Sequence, residues 1–145
     1  MEAFILAEYA KHTTHRVFQW PQDMQVHCRD HPWLFCTPDA YAEPLPAPPI
    51  DSEVRRLVEA KTTGYRSKDW GEEGTGNVPI WYAAQAQVQM VCTRITICDI
   101  AVDFAGGDHV AVYTIHADPA VAAAMIAKLE PIMARIRDAA PKEAA

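Results

Sequence analysis

One stretch narrows the possibilities for this chain more than any other: Arg55-Arg56-Leu57-Val58-Glu59-Ala60-Lys61-Thr62-Thr63. Leu57 and Val58 are apolar and suited to extended backbone, which predicts a strand entering the interior. Successive strand side chains alternate between two faces, so Glu59 and Lys61 share a face. Taking a carboxylate and an ammonium out of water together is costly unless they serve each other, a metal or a substrate. A second short apolar run, Trp33-Leu34-Phe35-Cys36, leads through Thr37-Pro38 to another carboxylate, Asp39. Two strands that each deliver an acid at their end, with a lysine beside one acid, are suited to holding a divalent metal against a phosphate.

Pro38-Asp39 followed twenty residues later by Glu59-Ala60-Lys61 resembles the PD-(D/E)XK nuclease signature. His31-Pro32-Trp33-Leu34, Thr37-Pro38-Asp39 and Val58-Glu59-Ala60-Lys61-Thr62-Thr63 are similar to the YqaJ and lambda-exonuclease branch of that superfamily. Tyr82-Ala83-Ala84-Gln85-Ala86-Gln87-Val88-Gln89-Met90 resembles that branch's Gln-x-Gln helix. The resemblance implies an α/β, restriction-endonuclease-like core with a mixed central sheet flanked by helices. It implies Mg²⁺ (or Mn²⁺) held by Asp39, Glu59 and the Ala60 carbonyl, with Glu2 assisting from the preceding helix. Lys61 then orients the attacking water or stabilises developing charge, and Gln85 is the active-site glutamine, ahead of Gln87 and Gln89. The implied activity is 5′-to-3′ exonucleolytic digestion of double-stranded DNA. A homotrimer, a single-strand-annealing recombinase as partner and a bacterial cytoplasm as location for a phage-encoded chain come with it. Family members carry an additional N-terminal segment with an arginine for the DNA 5′-phosphate, whereas this sequence starts at the glutamate helix, which predicts weak preference for a phosphorylated end.

The length of 145 residues fits one domain, and half the residues are apolar, enough for a core. No run of eighteen apolar residues is present and the start lacks a signal-peptide pattern, so neither a membrane span nor secretion is expected. Cys28, Cys36, Cys92 and Cys98 form no C-x-x-C pair and read as buried, reduced thiols. His12, His15, His27, His31, His109 and His116 have no metal-ligand spacing. A net charge of −6 argues against a general nucleic-acid coat. It weighs less against a nuclease, whose acidic centre meets a metal before it meets DNA.

Phe4, Ile5, Leu6 and Tyr9 predict a helix over Glu2–His12. Glu2 reads equally as an exposed first-turn acid favoured by the helix dipole or as the resemblance's accessory ligand. Arg16–Trp20, Gln25–Cys28 and Trp33–Cys36 read as strands, and the prolines of Glu43–Pro49 as a surface loop. The loop Thr62–Asn77 offers Tyr65, Arg66, Lys68 and Trp70 to DNA, with Trp70 equally readable as a core residue. Pro79–Thr93 predicts a helix. Two alternating strands, Ile95–Phe104 and His109–His116, are joined by a Gly106-Gly107-Asp108 turn. Asp118-Pro119 opens a last helix that Pro131 kinks or divides, and the tail from Ala139 is expected to fray. Two other functions fit the same residues: a catalytically silent DNA-binding or interaction module on the nuclease fold, and an RNA-directed nuclease.

Overall fold

The computed structural model describes residues 1–46, 55–105 and 109–139. In chain order its elements are α1 (Glu2–Thr13), β1 (His15–Gln19), β2 (Val26–His27), β3 (Phe35–Cys36), β4 (Ala40–Pro44), β5 (Arg56–Thr63), α2 (Ile80–Thr93), β6 (Ile97–Phe104), β7 (Val110–His116) and α3 (Pro119–Ala139). Five strands form one mixed sheet in the order β1-β4-β5-β6-β7, and β2 and β3 form a separate two-stranded ribbon. Only β5 and β6 are parallel. A parallel pair needs a long crossover, and α2 supplies it, which places α2 against the strand that carries Glu59 and Lys61.

The two faces of the sheet are packed differently. Leu57, Cys98, Ile100 and Val102 point to the α2 face, where they meet Ala86, Met90, Trp70 and Tyr113. Val58 and Ala101 point the other way and meet Ile5, Leu6 and Tyr9 of α1. Ala40, Ala42 and Ala101 are fully enclosed there, and their small side chains let α1 lie close to the sheet. On this face β6 also carries a buried acid, Asp99. It accepts hydrogen bonds from the Tyr9 hydroxyl (2.6 Å), the Thr114 hydroxyl (2.8 Å) and the Arg56 guanidinium (2.9 Å). Burial, and then the Asp99 charge, push the Tyr9 hydroxyl well above its ordinary pKa, so it remains a donor.

Three features differ from the sequence-based expectation. Trp33–Cys36 does not deliver Asp39 from the end of a main-sheet strand: β3 is confined to Phe35–Cys36 in the ribbon. Asp39 instead immediately precedes β4, which pairs antiparallel with β5. Glu43 and Pro44, read as the start of a loop, close β4, whose Ala-Tyr-Ala-Glu-Pro sequence lacks β-branched residues and gives little strand signal. Pro131 lies inside a continuous helix, which does not divide there. Residues 47–49 of the proline-rich loop, the 106–108 turn and the tail from 140 lie outside the described residues; β6 and β7 on either side of that turn do pair antiparallel. Asp118 caps α3 as expected, accepting the backbone N–H groups of Ala120 and Val121 at 2.9 and 3.1 Å. All four cysteines are buried free thiols. No helix among the described residues is long and apolar enough to cross a membrane.

Candidate active site

The site is built where β4 parts from β5. Their ladder ends at Ala40 opposite Val58. Continuing that register puts Asp39 opposite Glu59 and Pro38 opposite Ala60, with facing side chains on the same side of the sheet. Pro38 has no N–H and cannot extend the ladder. Asp39 takes over: its Oδ2 accepts the Ala60 backbone N–H at 2.8 Å. In a strand the N–H and C=O of one residue point to the same side. The Ala60 carbonyl therefore faces the same gap, opposite a proline that has no hydrogen to donate to it.

Glu59 is 4% exposed and its charge is met on both oxygens. The Lys61 ammonium lies 2.6 Å from Oε1. Gln85 Nε2 donates to the same oxygen at 2.5 Å, and Gln89 Nε2 donates to Oε2 at 2.7 Å. Gln85 and Gln89 are one helical turn apart on α2, so both project toward β5. The Lys61 ammonium also lies 5.5 Å from the centre of the Tyr82 ring, one turn before Gln85. Gln89 Oε1 is buried and has no hydrogen-bond partner. The third residue of the glutamine series, Gln87, turns away: it donates to the His116 carbonyl and accepts the Asp118 N–H, tying α2 to the start of α3.

The electrostatics of the gap are strained toward negative charge. The Asp39 carboxyl is pushed up to about 6, first by burial and then by the charge of Glu59. The Ala60 N–H pulls it down, Glu2 pushes it up and Lys61 pulls it down, in decreasing order. Glu2 shares a cleft of about 240 Å³ with Trp20, Gln22, Thr37 and Asp39, and Gln19 Nε2 donates to its Oε1 at 3.1 Å. Among the described residues, no three His, Cys, Asp or Glu side chains converge closely enough to form a metal cage by themselves. The oxygen donors that the end of the β4–β5 ladder offers to this gap are the Asp39 and Glu59 carboxylates and, by strand geometry, the Ala60 carbonyl. These hard oxygens suit a small divalent ion that keeps several waters rather than a thiophilic metal. A cation there would relieve the repulsion that raises Asp39, so the residues present fit Mg²⁺ or Mn²⁺.

Of the loop residues read as DNA contacts, Arg66 and Lys68 are exposed. The Arg66 guanidinium donates to the Gly71 carbonyl and lies 5.8 Å from the Phe104 ring centre. Trp70 is a correction. It is 7% exposed and packs against Tyr82, Phe104 and Tyr113, so the core claims it and its ring is not available to a base. Gln89 joins Gln85 on Glu59, and its position one turn along the same helix face is the sequence signal for it. Asp99 is a further buried acid, and its place inside Ile97-Cys98-Asp99-Ile100-Ala101-Val102 is itself a sign of a buried, partnered charge.

Comparison with known proteins follows the same line. A family model described as a YqaJ-like viral recombinase domain matches residues 1–96. No curated protein matches the chain. Among solved structures, the alkaline exonuclease LHK-Exo from Laribacter hongkongensis superposes with a TM-score of 0.60 at 18% identity, covering 94% of this chain and 69% of its own. LHK-Exo in complex with dAMP superposes with a TM-score of 0.54 at 16% identity, covering 94% of this chain and 68% of its own. At these identities the likeness establishes the fold.

Proposed function

This chain belongs to the YqaJ-like viral recombinase domain family, and on that footing we propose that it is a nuclease that hydrolyses phosphodiester bonds in DNA with the help of a divalent cation. The observation that carries the proposal is the Asp39 carboxylate bonded to the Ala60 N–H next to Glu59, with Lys61 bonded to Glu59. Asp39, Glu59 and the Ala60 carbonyl would hold Mg²⁺ or Mn²⁺, with Glu2 adding negative charge from α1. When bound, the ion lowers the pKa of water and screens the attacked phosphate.

The chain's own groups prepare that chemistry. Gln85 and Gln89 fix the Glu59 carboxylate from two directions, so its orientation costs nothing further when substrate arrives. Lys61 is held at the mouth of the pair, where its charge favours the anionic transition state over the ground state. Arg66 and Lys68, exposed on the loop after β5, would meet backbone phosphates. LHK-Exo has been solved in complex with dAMP, and deoxynucleoside monophosphates are the products proposed here. Digestion from 5′ to 3′ on duplex DNA, a homotrimeric assembly and a single-strand-annealing recombinase as partner are the finer parts of the proposal, supported by the family resemblance.

The test is digestion of an end-labelled duplex with Mg²⁺, Mn²⁺ or EDTA by the native chain, Asp39→Asn and Lys61→Ala. Cation-dependent release of mononucleotides is expected from the native chain only. Lys61→Ala should lose about 10²-fold or more in rate, the scale of a lost charge stabiliser, while binding the metal almost as well. Cleavage that survives EDTA or Asp39→Asn would overturn the proposal.

A further inference from the structure

A second cleft, of about 340 Å³, shares Trp20 with the Asp39 cleft and contains none of the groups proposed to meet the metal. Its walls are Trp20, Tyr41 and Arg55 on the sheet side, with Val26, Cys92, Thr93 and Ile95 closing it. That volume is at the lower end of small-molecule sites, which run from about 300 to 1,000 Å³. The composition is what flat heteroaromatic ligands require. Tyr41 stacks on Phe18 with ring centres 4.9 Å apart at 12°, and Trp20 meets Tyr41 edge-on at 6.1 Å and 77°. The Arg55 guanidinium sits 5.7 Å from the Tyr41 ring centre while its Nε donates to Glu43 at 2.8 Å. The Trp20 indole N–H is shielded from water and has no acceptor. Such a donor costs stability until an acceptor meets it.

The position of Trp20 joins this cleft to the proposed chemistry. Its side chain lines both clefts, and its backbone N–H donates to the Asp39 carbonyl at 2.8 Å. Asp39 and Tyr41 are two residues apart at the start of one strand and so share a face. A nucleotide has this same layout, a phosphate with a planar base one sugar away. We propose that the Trp20–Tyr41–Arg55 cleft binds a nucleobase of the substrate strand while the adjoining phosphate lies at Asp39 and Glu59. The inference rests on the nuclease reading for the placement of that phosphate. The base stacks on aromatic and guanidinium planes. Because every base has a π-face, this recognition is tolerant of sequence.

Binding separates this inference from the nuclease reading. Full-length chain with Ca²⁺, a hard cation that can occupy an oxygen site, is titrated into a fluorescently labelled single-stranded oligonucleotide, either intact or with abasic sites, and the oligonucleotide is checked for integrity afterwards. Arg55 is largely exposed, so Arg55→Ala leaves the fold standing, and Trp20→Phe keeps a ring while removing the indole proton. The intact oligonucleotide should bind more tightly than the abasic one by about tenfold, within the range of one base–aromatic stack. Arg55→Ala should weaken intact binding by about threefold and Trp20→Phe, with its smaller stacking face, by about twofold, with neither change affecting the abasic strand. Competition by a deoxynucleoside monophosphate would assign a released nucleotide as well as a base held in a strand; its absence would assign the strand alone, and either supports base recognition. Equal affinity for intact and abasic strands, or variants that weaken both equally, would overturn the inference even if the chain cleaves DNA. Base-dependent binding by a chain that never cleaves would remove the nuclease reading and leave the base site.

Discussion

At the scale of single residues, Asp39 carries the most information. Its carboxyl is raised to about 6 from an ordinary value near 4, so between those values the folded chain binds more protons than the unfolded one. Stability contributed by this group is therefore present at low pH and declines as pH rises through that window. A divalent cation reverses the trend, because it binds the ionised form. Metal affinity measured by calorimetry should climb as pH rises to about 6 and level off above it; affinity that is flat from pH 5 to 7.5 would show that Asp39 is not a ligand. Asp99 makes the opposite kind of prediction. Its role is structural, and removing it strands the buried part of Arg56 and the Tyr9 hydroxyl. Asp99→Ala should lose about 3 kcal/mol in urea unfolding, the low end for breaking a buried ion pair. Tyr9→Phe, which removes one donor, should lose about 1 kcal/mol. A neutral Asp99→Ala would mean that the Arg56 charge escapes to water instead.

At the scale of elements, α3 differs from every other helix in burying no residue fully, and it carries Pro131 in its interior. An interior proline removes one helical hydrogen bond and crowds the preceding turn, at about 3 kcal/mol relative to alanine. Since α3 contributes little to the core, Pro131→Ala should slow hydrogen exchange within α3 while shifting the global unfolding midpoint only slightly. An equally large gain in global stability would mean that α3 unfolds together with the sheet. What the sequence revealed at this scale follows from pattern strength. α1, α2, β5, β6 and β7 have apolar periodicity over many residues and were legible. β4 was not, because alanine, glutamate and proline carry no strand preference; tertiary pairing with β1 and β5 makes it a strand. Glu59, Lys61 and Gln85 were legible by spacing and resemblance. The hydrogen bond from the Ala60 N–H to Asp39 was not, since it depends on where a ladder stops, which no single strand encodes.

At the scale of the whole molecule, charge sets the terms on which DNA can approach. The chain carries a net charge of −6, and Lys61, with Arg66 and Lys68 on the loop after β5, are the cations proposed to meet backbone phosphates. Three phosphate contacts predict a log–log salt slope of about −3 for duplex binding, shallow beside proteins that coat DNA. Affinity measured between 50 and 200 mM salt should fall by tens of fold; a much steeper decline would reveal a further basic surface that this reading overlooks.

The separation of Asp39 from Glu59 in the chain has a practical corollary. The register of β4 and β5 carries the two acids toward each other across adjacent strands. The entropy of closing a loop grows only slowly with its length, by about 0.6 kcal/mol per doubling. Relatives of this chain are therefore free to differ in the connection between β4 and β5 by many residues while keeping the acids aligned. For the engineer, a tag inserted between Pro46 and Arg55 would join the hairpin at the end away from Asp39, about 13 Å along β5 from Glu59.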